Sequence, residues 1–150
     1  MILSDCFNFN LNKVLKMTKI NLYAKYGSDR NKEQAGVPFY IDKDSDTYIN
    51  VARWTVRNVE HTKAQAEVSL KMANASESEQ EEARSRVFIE HLITGWNNIV
   101  DKDGNELPFS KENALALLGD LPDLVNELFT FSLNRENYGL DSVETATKNS

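Results

Sequence analysis

The apolar pattern of this chain has two periods, and the change between them falls at Asn58. Over residues 47–56 the side chains alternate, with Tyr48, Asn50, Ala52 and Trp54 on one face and Ile49, Val51 and Arg53 on the other. Alternation carried by β-branched and aromatic residues specifies a pleated strand. Beyond Asn58 the spacing becomes helical. Ala64, Val68 and Met72 recur at i, i+4 and i+8, with Ala66 and Leu70 beside them, which predicts a helix over 59–72 with Asn58 as its N-cap. Residues 74–76 break that helix. Ser76 and Glu79 form an S-x-x-E capping box for the next one. Its first turn carries Glu77, Glu79, Glu81 and Glu82, which suit the positive end of a helix dipole. Phe88, Leu92, Trp96 and Ile99 then line one face, flanked by Ile89 and Ile93, so this second helix is expected over 77–98.

The flanks are less regular. Ile20, Leu22 and Ala24 alternate with Asn21, Tyr23 and Lys25, a short strand pattern. Residues 27–36 are polar and charged and are expected to form a loop, a candidate insertion or mobile arm. Val37, Phe39 and Ile41 resume an extended pattern, and Pro38 places it at a sheet edge or strand start. Residues 101–105 read as a tight turn with Gly104 at positive φ; it separates Ile99-Val100 from Glu106-Leu107 as a minimal hairpin, across which Trp96 can pack on Phe109. Ser110 caps a helix over 111–118 that Gly119 closes as C′, and Pro122 opens a last helix that fades near Asn137. The expected fold is mainly α with a small N-terminal β region, an α+β domain of about four helices plus a short sheet or hairpin. A single globular domain is expected over 17–138, preceded by an N-terminal extension, 1–16, and followed by a disordered polar tail, 139–150. Met17-Thr18-Lys19 resembles a second beginning.

The 150 residues are 41% hydrophobic, enough for a core that needs neither disulfide nor metal. A net charge of −6 disfavours non-specific nucleic-acid binding, which works by displacing counterions with clustered Lys and Arg. No apolar run approaches the ~20 residues of a bilayer span. Cys6 is the only cysteine, which fits a reducing, cytoplasmic setting.

Catalytic chemistry is not apparent in the motifs. His61 and His91 are far apart in sequence, with no His or Cys at helical spacing from either, and both read as structural helix histidines. Counting an EF-hand loop from Asp101 puts Gly104 at position 4 rather than 6, and Pro108 interrupts the loop. Phosphate-cradling, dinucleotide-binding, nucleophile-elbow and HExxH motifs are missing. The expectation is a protein that is not an enzyme, with no catalytic residues, metal or cofactor.

What remains is apolar surface. The last helix carries Leu124, Val125, Leu128, Phe129, Phe131 and Leu133, more than one face can bury. Two readings stand: ordinary core covered on two sides, or a partner-binding site formed by Leu124, Val125, Leu128, Phe129 and Phe131.

The order of elements from residue 88 to residue 138 carries a resemblance. A helix ends in Gly95-Trp96, followed by the turn Asp101 to Gly104. The element Pro108, Phe109, Ser110, Glu112, Asn113 comes next, and then Leu117-Leu118 before the helix begun by Pro122. With the strand TYINVARWTVRN (47–58), this series resembles the tail assembly chaperone family of long-tailed bacteriophages over about two thirds of the chain. The resemblance implies a factor that coats the tape-measure protein, keeps its helices soluble and recruits tail-tube subunits in the host cytoplasm, without entering the mature virion. It also implies self-association into a homo-oligomer, and a longer product made by ribosomal frameshifting near Lys148-Asn149. It involves no nucleic acid, membrane or cofactor. The competing readings are a structural virion protein of the tail or head–tail junction, and a small phage regulatory protein that binds a host factor.

Overall fold

A computed structural model describes residues 19–140 of the chain. Two short helices, α1 (Leu22–Tyr26) and α2 (Arg30–Ala35), precede a hairpin of β1 (Val37–Asp42) and β2 (Thr47–Val51). A helical hairpin follows, α3 (Val59–Lys71) and α4 (Glu77–Leu92), and α4 runs without a break into β3 (Ile93–Asn97). The helices α5 (Lys111–Gly119) and α6 (Pro122–Leu133) and a 3-10 turn, Arg135–Tyr138, complete the described fold. The sheet is antiparallel, in the order β1-β2-β3. The fold is α+β, as the hydrophobic periods required.

Several elements differ from the sequence expectation for identifiable reasons. The alternation at 20–24 does not make a strand: the Asn21 side chain accepts from the amides of Tyr23 and Ala24, and this cap starts α1 instead. Within the expected loop 27–36, Asp29 caps α2 in the same way. The helix expected over 77–98 stops at Leu92. Phe88, Ile89, Leu92, Ile93 and Trp96 satisfy a helical repeat, but Ile93 and Thr94 are β-branched, and from Ile93 the backbone is extended and pairs with β2. The register sets Ile49 opposite Trp96, Asn50 opposite Gly95 and Val51 opposite Ile93, with an irregularity after Asn50. The small β region is therefore closed by a strand from the middle of the chain.

The strand expected over 47–56 ends at Val51 because the next three amides bond elsewhere. Ala52 N donates to Leu92 O at 2.7 Å, Arg53 N to Glu33 O at 2.9 Å and Trp54 N to Ser132 O at 3.0 Å. One short segment thereby ties the ends of α4, α2 and α6 together. Asn58 does not cap α3 with its side chain; its Nδ2 donates to the carbonyls of Arg53 and Glu33. Gly119 lies inside α5 rather than closing it, and Asp120 in a right-handed helical conformation is the C-cap.

Other expectations appear as drawn. Ser76 and Ser110 accept from Glu79 N and Asn113 N, capping α4 and α5. Pro122 opens α6 and β1 is an edge strand. Val100 bridges Glu106 with Gly104 at φ +83°, and Trp96 meets Phe109 edge-on at 5.1 Å while its Nε1 donates to Leu107 O. The core lies between the sheet and the helices. Ile49, Val51, Phe88, Ile89, Leu92, Ile93, Ala114, Leu118 and Leu128 are its buried centre. Tyr138 closes it from the C-terminal side by donating to Val51 O at 2.9 Å. The extension 1–16, Cys6, the Lys148-Asn149 pair and all of the expected tail 139–150 but Gly139 and Leu140 lie outside the described residues; Gly139 O accepts from Lys32 Nζ at 3.0 Å.

Candidate binding groove

α4 and α6 both pack around α5, and a groove of about 820 Å³ opens among the three helices. On α4 the lining residues Ser78, Glu82, Ser85 and Ile89 recur at i, i+4, i+7 and i+11, a single helix face, with Glu81 and Phe88 beside it. Pro122, Val125, Asn126 and Phe129 line it from α6, again at one-face spacing. Leu115, Leu118 and Gly119 of α5 lie between. The floor is apolar, and the rim is polar and mixed in charge, with Glu81, Glu82, Arg84 and Arg86.

One wall is aromatic. Trp54 stands perpendicular to Phe129 at 5.1 Å between ring centroids and is stacked near Phe88 at 6.1 Å, and Phe88 meets Phe129 edge-on at 6.1 Å. Edge-on and offset geometries of this kind are the favoured ones for aromatic pairs. The hydrogen bond from Trp54 N to Ser132 O fixes this wall to the end of α6.

The five residues singled out on the last helix do not share one fate. Leu128 is fully buried and Val125 is buried at the groove floor. Leu124 and Phe131 are partly buried against the core, and Phe131 packs edge-on against Phe39 at 5.3 Å. Phe129 is 37% exposed and stands at the groove. Of the five, Val125 and Phe129 line it. Trp54, Phe88, Ile89, Leu115 and Leu118 also line it, and the apolar excess of the last helix does not point to them. The one available signal was the stripe of small and polar residues on α4, Ser78, Glu82 and Ser85, where a packed helix would carry apolar ones.

The structure also joins groups that sequence distance separates. The antiparallel α3–α4 hairpin brings the rings of His61 and His91 to 6.2 Å, beside a cavity of about 340 Å³. His61 is buried against Trp54, with ring centroids 4.4 Å apart, and lies 3.1 Å from Gln65 Nε2, which also donates to Arg84 O. Accepting from Gln65 requires an unprotonated His61 Nε2. Burial, and secondarily the nearby His91, push the His61 pKa down to about 4. Among the described residues no three His, Cys, Asp or Glu side chains converge as metal ligands. Lys111 donates to Ile93 O at 2.7 Å, and burial lowers its pKa against the opposing pull of Glu90.

No helix among the described residues is long and apolar enough to cross a membrane. Fold and groove together define a small α+β domain with an open apolar trough between helices. The family model described as YdaY prophage protein matches residues 44–149, more than half of the chain, and the protein belongs to that family. Its origin is thus in a phage. No curated protein and no solved structure matches the chain.

Proposed function

We propose that this prophage protein is a tail assembly chaperone that holds helical segments of the tape-measure protein in the groove between α4 and α6. The observation that supports the reading is the groove itself: about 820 Å³, floored by Ile89, Leu118 and Val125, walled by Trp54 and Phe129, and rimmed by charge. Such a trough accepts the apolar face of an amphipathic helix, whose anchors recur at i, i+3 or i+4 and i+7. The order of motifs from Gly95-Trp96 to Pro122 supports the same reading by resemblance. The net charge of −6 keeps the loaded protein soluble. Action is stoichiometric: the groove holds the client helix until tail-tube subunits displace it. The work is done in the host cytoplasm, and the protein leaves before the virion matures.

Co-expression with the tape-measure protein of the same prophage tests this. The client is expected to become soluble and to co-purify with this chain; unchanged client solubility overturns the proposal. Mass spectrometry of purified particles provides the second arm. Absence of this chain is expected, and its stoichiometric presence would instead make it a structural virion protein.

A further inference from the structure

The outward face of α3 carries a pattern that the groove does not use. His61, Gln65 and Val68 face α4, where His61 meets His91 and Gln65 bonds Arg84. On the opposite face, Val59, Lys63, Ala66 and Leu70 form one exposed stripe at i, i+4, i+7 and i+11. Val59 is 63% exposed and Leu70 80%. A single exposed aliphatic residue means little; here two stand at the ends of one seam.

The charges on and beside the stripe have a symmetry. Lys63 and Glu67 lie equally far from position 65, and Glu60 and Lys71 equally far from the midpoint of 65 and 66. Each pair joins opposite signs. None of the four makes an ion pair among the described residues, although Lys63 and Glu67 stand one turn apart. A two-fold axis near residue 65, within about half a residue (roughly 0.75 Å of helix rise) of the centre of each pair, sets Lys63 beside Glu67 of a second copy and Glu60 beside its Lys71, each twice. Val59 meets the second copy's Leu70 at both ends. A parallel pairing would instead oppose Lys63 to Lys63 and Glu67 to Glu67. From this self-complementary charge pattern we infer that α3 is an antiparallel self-association surface, and that its occupant is a second copy of this chain.

A symmetric interface has this property by construction: what residue i meets at j, residue j meets at i. The seam is about 20 Å long, one 13-residue helix at ~1.5 Å per residue. That is small for a specific interface, so the association is concentration-dependent rather than permanent. It leaves the groove of each copy free, since the groove is lined from α4, α5 and α6 and from Trp54.

Sedimentation equilibrium of the full chain over a wide concentration range tests it. The expected result is a monomer–dimer equilibrium that weakens as salt rises. Lys63→Glu should raise the dissociation constant about tenfold, because two attractive pairs become repulsive. Lys63→Glu combined with Glu67→Lys should restore it, which a merely structural role would not produce. Leu70→Asp should abolish the dimer and leave the thermal melt unchanged at concentrations where the wild-type chain is monomeric, since Leu70 is 80% exposed. A chain monomeric at all concentrations overturns the inference, as does a dimer indifferent to Leu70→Asp and Lys63→Glu.

Discussion

Arg53 Nη1 donates to Glu33 Oε2 at 2.9 Å, and the carboxylate it meets is sealed from solvent, with a side-chain exposure of 2%. Ser28 donates to the other oxygen at 3.0 Å and Arg57 approaches it at 3.4 Å. The backbone repeats the link, since Arg53 N donates to Glu33 O. Glu33 is on α2, in the segment expected to be a loop, and Arg53 is on the strand exit that ties α4 and α6 together. Their pairing is what makes residues 28–36 part of the domain rather than an arm.

Glu33→Gln should therefore destabilise the fold by about 2–3 kcal/mol, less than for a fully sealed pair because Arg53 keeps 21% and Arg57 55% of its side chain exposed. Chemical denaturation at neutral pH measures it. Amide exchange should speed up in residues 28–36 first, and equal protection in the variant would show that the pair does not hold this segment.

Phe129 and Leu128 adjoin in sequence but should behave oppositely. Phe129→Asp places its charge at the groove, where Phe129 is already 37% exposed, so the domain should fold and lose tape-measure binding. Leu128→Asp buries a charge at a fully enclosed position and should abolish folding. Leu128→Ala should cost about 2–5 kcal/mol. Circular dichroism melts and client pull-down separate the two effects. Full client binding by folded Phe129→Asp would remove α6 from the contact.

His61 should make stability pH-dependent. Its folded pKa, near 4, lies below the ordinary value of 6.5, so between those limits the unfolded chain binds more protons than the native one. Stability then falls as pH drops from about 6.5 to about 4 and the penalty stays constant below, reaching an upper limit of about 3 kcal/mol. Urea titrations at pH 7 and pH 4.5 measure the slope. His61→Gln, which keeps a polar partner for Gln65 but does not titrate, should flatten it; an unaltered slope would assign the effect to carboxylates.

Gly36 sits at φ +92°, and a Cβ there would fall 2.5 Å from Thr94 Oγ1. That hydroxyl donates to Ala35 O at 2.7 Å, joining α2 to β3. Gly36→Ala should destabilise by about 1–3 kcal/mol through both the backbone conformation and the lost contact. Thermal melting of the variant, with Gly104→Ala as a positive-φ comparison in open space, checks the second contribution.

Much of this fold was legible in the residues because it depends on local rules. Ser76, Ser110 and Pro122 announced their helices, and the 101–105 turn and the Trp96–Phe109 contact follow from short-range geometry. Local rules do not decide where two of them fit the same residues. Phe88 to Trp96 fits a helix or a helix followed by a strand, and only an open edge on β2 favours the strand from Ile93 onward. Asn21 and Asp29 each stood in a short polar setting where a side-chain cap outweighed the visible pattern.

The candidate site was half legible. The apolar excess of the last helix points to Val125 and Phe129, but an excess does not say which residues the core takes. Leu128 is enclosed in the core, whereas Phe129, one residue on, stands at the groove against Trp54 and Phe88. The sequence by itself determined the composition of each helix face, the caps, the turns and the two hydrophobic periods, all set by neighbours within a few residues. Tertiary structure alone decided that β3 completes the sheet, that Glu33 meets Arg53, that His61 meets His91 and that three helices leave a trough, because each depends on how elements far apart in the chain share one core.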